Sequence, residues 1–255
     1  MIYFVGAGPG AEDLITVRGK KLIEEADVII YTGSLVNPAL LQYAKKAAEI
    51  FDSSVLTLEE VVDLMDKADS ERKRVVRLHT GDQSLYGAIR EQMDLLEKKG
   101  IAYTSCPGVS ACFGAAASLN LEYTLPGVTQ SLIITRMEGK TSVPETEKME
   151  LLASHGTSMA IYLSTGLLKG LQEKLLQGAY EEDTPAAIVY KATWPEEKVL
   201  MCTVGTLAQT GSDHGITKTA IVLVGDAIAH VSYDRSKLYD PSFTTGYRQG
   251  SGKES

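Results

Sequence analysis

Three short loops rich in small residues carry the groups in this sequence best suited to hold a ligand. Val5-Gly6-Ala7-Gly8-Pro9-Gly10 follows a first apolar run, Thr80-Gly81-Asp82-Gln83-Ser84-Leu85-Tyr86-Gly87 follows another, and Pro107-Gly108-Val109-Ser110-Ala111 a third. Small side chains let a ligand reach the backbone N–H and C=O groups. Asp82 adds a carboxylate able to accept from hydroxyls or amines, or to face a cation. A plainer reading of Asp82 is a turn residue or a helix cap.

The first loop admits two chemistries. Gly6, Gly8 and Ala11 satisfy a loose dinucleotide pattern directly after a strand. Proline has no N–H, so Pro9 removes a donor from the nest that would cradle a pyrophosphate. Glu12 and Asp13 then put negative charge where a diphosphate needs positive potential. A ribose-binding carboxylate belongs near the end of the second strand, where Thr32 and Gly33 stand, while Asp27 lies at its beginning. The plainer alternative is a tight turn whose glycines permit close packing. A mostly neutral ligand, such as adenosine joined to a sulfonium, is compatible with such a wall because it brings no phosphate.

The elements that must position these loops alternate. Residues 2–5, 28–31, 75–79 and 101–105 read as buried strands, with a weaker one at 49–51. Between them, 16–25, 38–46, 58–68 and 88–99 carry apolar residues at helical spacing, and Gly100 stops the last. This alternation predicts an α/β fold with a mostly parallel sheet covered on both faces. In such a sheet ligands sit outside the carboxyl ends of the strands, where the three loops emerge.

The small-residue run 110–118 predicts a tightly packed helix, and the polar, Pro-containing connection 119–130 a domain boundary. Strand-like runs at 131–136, 159–163, 186–190, 199–203 and 220–224 predict a second sheet, with helices at 145–153 and 167–176, the latter closed by Gly178. The polar stretch 139–144 reads as an exposed flap. The expected division is 1–119, 120–243 and a flexible Gly- and Ser-rich tail, 244–255.

Composition narrows the partners. A net charge of -8, with 33 acids against 25 bases, argues against nucleic acid. No stretch approaches the apolar length of a membrane span, and three unpaired-looking cysteines, Cys106, Cys112 and Cys202, fit a reducing compartment, so a cytoplasmic protein is expected. His79, His155, His214 and His230 lack ligand spacing, so no protein-bound metal is expected.

The order and spacing of Val5 to Gly10, Leu14 to Gly19, Ala26-Asp27-Val28-Ile29-Ile30-Tyr31, the Gly81-Asp82 loop and Pro107 to Ala111 resemble the tetrapyrrole (corrin and porphyrin) methylases, a likeness running to about Tyr247. Within that family, Tyr31-Thr32-Gly33-Ser34-Leu35-Val36 and Leu238-Tyr239-Asp240-Pro241-Ser242-Phe243 look like the branch that methylates C11 of precorrin-4 or its cobalt form. The resemblance implies two α/β domains, the second with a mixed sheet, a cleft between them for S-adenosylmethionine, and a homodimer. It implies cofactor contacts at Pro9, Thr80, Gly81, Asp82, Leu85, Ser110 and Ala111, and at Leu163, Ala192, Thr219 and Ala220. The product would be S-adenosylhomocysteine, and the substrate an anionic tetrapyrrole.

Such a substrate needs local cations, and Arg90, Arg136, Lys191 and Arg235 are candidates, although each also reads as a solvated surface charge. Uroporphyrinogen methylases of the family carry an aspartate just after the second-strand tyrosine, proposed as a base; Thr32 stands there, so that assignment does not transfer and no catalytic base is identified. Another tetrapyrrole methylase, acting at a different ring position or on uroporphyrinogen, is the first alternative, ahead of a nicotinamide oxidoreductase and a non-catalytic corrinoid carrier.

Overall fold

The computed structural model describes residues 1–229 and 232–251; His230 and residues 252–255 lie outside them. The chain forms two compact units, Met1–Ser118 with Lys191–Lys198, and Leu119–Tyr190 with the residues from Val199 onward. The excursion Lys191–Lys198, read from the sequence as part of the second region, thus belongs with the first unit.

The first unit holds a five-stranded parallel sheet in the order β3-β2-β4-β1-β5. Its strands are β1 (Ile2–Gly6), β2 (Val28–Tyr31), β3 (Glu49–Asp52), β4 (Val75–His79) and β5 (Tyr103–Cys106). Its helices are α1 (Val17–Glu25), α2 (Leu58–Ser70), α3 (Arg90–Lys98) and α4 (Ala111–Leu119). The central strands are apolar on both faces because both are covered. Ile23 of α1 packs with Val5, Ile29, Val76 and Leu78 on one face. Met65 of α2 and Met93 and Leu96 of α3 pack with Ile2, Phe4, Ile30 and Val75 on the other.

This packing fixes where a ligand can enter. The neighbouring strands β1 and β4 send their following helices, α1 and α3, to opposite faces of the sheet. The carboxyl ends of two strands whose helices diverge in this way are the usual binding position in an open α/β sheet.

Two local features differ from the sequence reading. Residues 38–43 form a 3-10 helix, Pro38–Tyr43, capped by the Asn37 side chain accepting from Ala39 N at 3.0 Å. Strand β5 begins at Tyr103 because Ile101 closes α3: its N–H bonds Leu96 O at 3.0 Å after Gly100 turns left-handed at φ +70°. Ile101 and Leu96 share one apolar cluster, the contact that accompanies such helix ends.

The second unit holds a mixed sheet in the order β6-β7-β10-β8-β9, made of β6 (Leu132–Arg136), β7 (Ser158–Tyr162), β8 (Pro185–Tyr190), β9 (Lys198–Thr203) and β10 (Ala220–Val224). β6 and β7 are parallel, and β10 runs antiparallel to both β7 and β8. α5 (Met149–Ala153), α6 (Leu168–Leu176) and α7 (Leu207–Asp213) cover one face through Met149, Leu171, Leu175 and Leu207. The stretch predicted as a helix from 145 splits into a 3-10 turn, Glu145–Glu147, and α5.

Residues 244–251, expected as part of a loose tail, are hydrogen-bonded to the chain before them. Arg248 donates to the carbonyls of Leu238 (3.0 Å) and Asp240 (2.5 Å), and Ser251 N–H donates to Pro241 O at 2.8 Å.

Candidate functional site

The three loops named from the sequence meet at backbone level. A Cβ added to Gly6 would lie 2.6 Å from Gly108 Cα and 2.7 Å from Gly81 O, and one added to Gly108 would strike Gly81 O. Only glycine allows the ends of β1, β4 and β5 to approach so closely.

Beyond this junction the β1 loop is stitched to the β4 loop. Ala7 N–H donates to His79 O at 2.7 Å, Gly8 N–H to Gly81 O at 3.2 Å, and Gly81 N–H back to Gly8 O at 2.8 Å. Ala11 N–H donates to Thr193 Oγ1 at 2.9 Å, and Pro9 has none to give. A phosphate nest needs consecutive outward N–H groups. Here those of Ala7, Gly8 and Ala11 are engaged, so the dinucleotide reading of this loop fails on geometry.

Asp82 acts as a brace. Its Oδ2 accepts from Gly108 N–H at 2.8 Å, while Oδ1 accepts from Ser84 N–H at 2.9 Å and from the Ser84 hydroxyl. Burial alone would raise the carboxyl pKa, but these three donors outweigh it and hold Asp82 below the usual value. The turn-residue reading is realised, and the carboxylate remains ionised beside the loops with acceptor capacity left over. Thr80 is exposed, Leu85 half-buried, and Ser110 buried at the start of α4.

Pro9 is buried against α4, where a Cβ on Gly114 would lie 2.7 Å from its ring. The segment Lys191–Lys198 then closes over the loop. Trp194 Nε1 donates to Pro9 O at 3.2 Å, and its indole fills the space that a Cβ on Gly10 would take. Ala192 is buried there too, its carbonyl 2.8 Å from that same hypothetical Cβ. The Glu197 carboxylate accepts from Ser118 Oγ at 2.6 Å and from Thr193 N–H. Asn37 Nδ2 donates to Gly10 O at 2.8 Å. Asn37, Thr193, Trp194 and Glu197 were not singled out from the sequence; a lone tryptophan just after a buried strand was the one available signal.

The second unit brings its own named residues together. The β7–β10 register pairs Val222 with Ile161, and β7 ends at Tyr162, just before Leu163. Ala220 pairs with Tyr190 at the end of β8. Leu163 (φ +53°) and Thr219 (φ +57°) are both left-handed, a costly state for a bulky or β-branched residue. Leu163 is 68% exposed.

The four basic candidates are all engaged within their own units. Arg90 pairs with Asp94 and Glu97 on α3. Lys191 pairs with Glu196 at 3.4 Å and lies over the Trp194 ring. Arg136 donates to Ser142 O at 2.7 Å and Thr141 O at 3.3 Å, so it organises the 139–144 stretch, and Arg235 donates to Tyr239 O at 2.9 Å. None of these contacts selects one of the four as a substrate anchor. Among the described residues, no cluster of three His, Cys, Asp or Glu is placed to hold a metal, and no helix is long and apolar enough to cross a membrane.

Comparison with known proteins agrees with this geometry. The model of the tetrapyrrole (corrin/porphyrin) methylases matches residues 1–208. A cobalt-precorrin-4 C(11)-methyltransferase of Methanocaldococcus jannaschii is 51% identical over 99% of this chain and 97% of its own. A uroporphyrinogen-III C-methyltransferase of Bacillus subtilis is 31% identical over 89% of this chain and 90% of its own. The crystal structure of a cobalt precorrin-4 methyltransferase, described as a cobalamin biosynthetic enzyme, superposes with a TM-score of 0.87 at 45% identity, covering 89% of this chain and 95% of that one. With the family model matching residues 1–208 and 51% identity to a relative over nearly the full length, the chain belongs to the tetrapyrrole methylases.

Proposed function

We propose that this chain transfers the methyl group of S-adenosylmethionine to C11 of cobalt-precorrin-4 or precorrin-4, in cobalamin biosynthesis, as a cytoplasmic homodimer. The observation that carries the cofactor reading is the stitched glycine junction. Its N–H groups are turned onto neighbouring carbonyls, which suits a neutral adenosyl group with a sulfonium and not a diphosphate. The relatives support the ring position: two named for the cobalt form are 51% and 46% identical, and a uroporphyrinogen methylase is 31% identical.

S-adenosylmethionine brings an already activated methyl group. What the chain must do is orient it and exclude water, a contribution of about 7–11 kcal/mol in favourable cases. In the first unit, Pro9, Thr80, Gly81, Asp82, Leu85, Ser110, Ala111 and Ala192 are the proposed contacts, on a rim made rigid by the Asp82 and Trp194 bonds. In the second, Leu163 and Thr219 are proposed on the strength of their left-handed backbone, and Ala220 from its place at the start of β10, next to Thr219.

Turnover with labelled S-adenosylmethionine and each form of precorrin-4 tests the proposal, with the label located on the product ring. Label at C11 is the expected result. Calorimetry that finds NAD(H) binding and no S-adenosylhomocysteine binding overturns the cofactor, and tetrapyrrole binding without turnover favours a carrier. Light scattering tests the dimer and cell fractionation the compartment.

A further inference from the structure

Arg77 lies on the central strand β4, only 6% exposed. A charge so buried ordinarily meets a carboxylate. Here its Nε donates to Gln92 Oε1 at 3.2 Å and its Nη1 to Ile30 O at 3.3 Å. Burial pushes its pKa down to about 10, which leaves it protonated near neutral pH. Gln92, on α3, is itself buried, and its Nε2 donates to Ala88 O at 3.0 Å. One side-chain amide therefore links a core cation to the far end of the loop that follows β4.

That end of the loop is conformationally demanding. Tyr86 (φ +56°) and Ala88 (φ +48°) are both left-handed, at a cost of about 1–3 kcal/mol each. Gly87 between them has no room for a Cβ, which would strike Gln83 O. The near half of the loop is fixed separately, by the Gly8–Gly81 bridge and the Asp82–Gly108 bond. The strained half holds the Tyr86 ring 44% exposed beyond the carboxyl end of β4.

We propose that Arg77 and Gln92 are positioning residues that hold residues 86–88 in this strained form, and that Tyr86 there receives a face of the conjugated tetrapyrrole. The near half then serves the methyl donor and the far half the ring. The chemistry is contact between an aromatic face and a broad unsaturated macrocycle, and it rests on the tetrapyrrole substrate proposed above.

Gln92→Glu separates positioning from core satisfaction. It keeps acceptor oxygens for Arg77 but loses the amide that donates to Ala88 O. Tyr86→Ala removes the ring from a surface position, and Tyr86→Phe keeps it. The expected result for Gln92→Glu and Tyr86→Ala is a KM for cobalt-precorrin-4 raised roughly tenfold, with S-adenosylhomocysteine affinity by calorimetry within about twofold of wild type. Tyr86→Phe restores the KM, and the unfolding midpoint of Gln92→Glu stays near wild type. An unchanged KM in Tyr86→Ala overturns the proposal, as does S-adenosylhomocysteine affinity falling in step with KM. Should Gln92→Glu fail to fold, the two Tyr86 variants still decide the substrate role. A wild-type enzyme that binds S-adenosylhomocysteine but methylates neither form of precorrin-4 overturns the substrate reading itself.

Discussion

The amide of Gly108 donates a 2.8 Å hydrogen bond to Asp82 Oδ2, so the loop after β5 is held to the loop after β4 by a single carboxylate oxygen. Because Oδ1 of the same side chain closes its own turn on Ser84, Asp82 shapes two backbones at once.

Replacing Asp82 should therefore damage stability and cofactor affinity together. Asp82→Ala loses charge-assisted bonds worth about 1.5–3 kcal/mol each at most, and for a chain of this size a loss of 2 kcal/mol lowers Tm by roughly 4–8 °C. Asp82→Asn retains one acceptor and should fall between wild type and Asp82→Ala. The folded pKa is depressed, so this contribution is present above the unfolded value of 3.8 and is lost as pH falls through the folded one. Thermal melts of both variants with and without S-adenosylhomocysteine check this, and a wild-type Tm in Asp82→Ala would refute the brace.

The glycine junction makes a sharper prediction. Gly6→Ala puts a methyl group 2.6 Å from Gly108 Cα, where both neighbours are backbone and neither can rotate away. Overpacking of this kind costs about 1–3 kcal/mol or more, read as a lower urea midpoint. Gly246→Ala, with nothing within 4 Å and no left-handed φ, is the matched control and should be neutral. A Gly6→Ala midpoint equal to that of the control would show that the three strand ends are not in contact.

Much of this site was legible because buried parallel strands read as apolar runs. β2 and β4 fall on the residues that the sequence indicated and β1 runs one residue past them, while β5, whose loop was still found, starts two residues late. What was hidden depends on partners distant in the chain. Nothing local to Trp194 points to Pro9, 185 positions away, and nothing local to Glu197 points to Ser118. Ile101 was misread as strand because a helix-closing contact and a strand both call for an apolar residue. Arg77 and Gln92 were missed because an arginine inside an apolar strand gives no periodic signal.

Trp194 is the sole tryptophan, and its indole packs on the Gly10 backbone while bonding Pro9 O. Fluorescence therefore reports directly on the first loop. Titration with S-adenosylhomocysteine should change its intensity or wavelength with the same midpoint that calorimetry gives. Trp194→Phe keeps an aromatic body but loses the N–H donor, and should weaken that binding by roughly the 0.5–1.5 kcal/mol of one net hydrogen bond. A saturable calorimetric signal with no fluorescence change would separate this loop from the cofactor.

His79, the last residue of β4, stacks on Phe4 at 6.1 Å, and its carbonyl accepts from Ala7 N–H. The residue is 5% exposed, and among the described residues its buried Nε2 has no hydrogen-bond partner. Burial, and then the neighbouring Arg77 charge, push its pKa down to about 3 from 6.5. Because the folded value is depressed, the unfolded chain takes up a proton first as pH falls. Stability is thus fully present above pH 6.5 and is lost between there and about 3, at up to about 1.4 kcal/mol per pH unit from this group. Depressed carboxylates such as Asp27 and Asp52 act in the same direction at lower pH, so the comparison must be with His79→Leu, which keeps them. The stability difference between wild type and His79→Leu should shrink as pH drops from 6.5 toward 4. An NMR titration that finds His79 protonating near 6.5 in the folded protein, or a difference independent of pH, would show that burial beside Phe4 and the Arg77 charge do not keep this ring neutral.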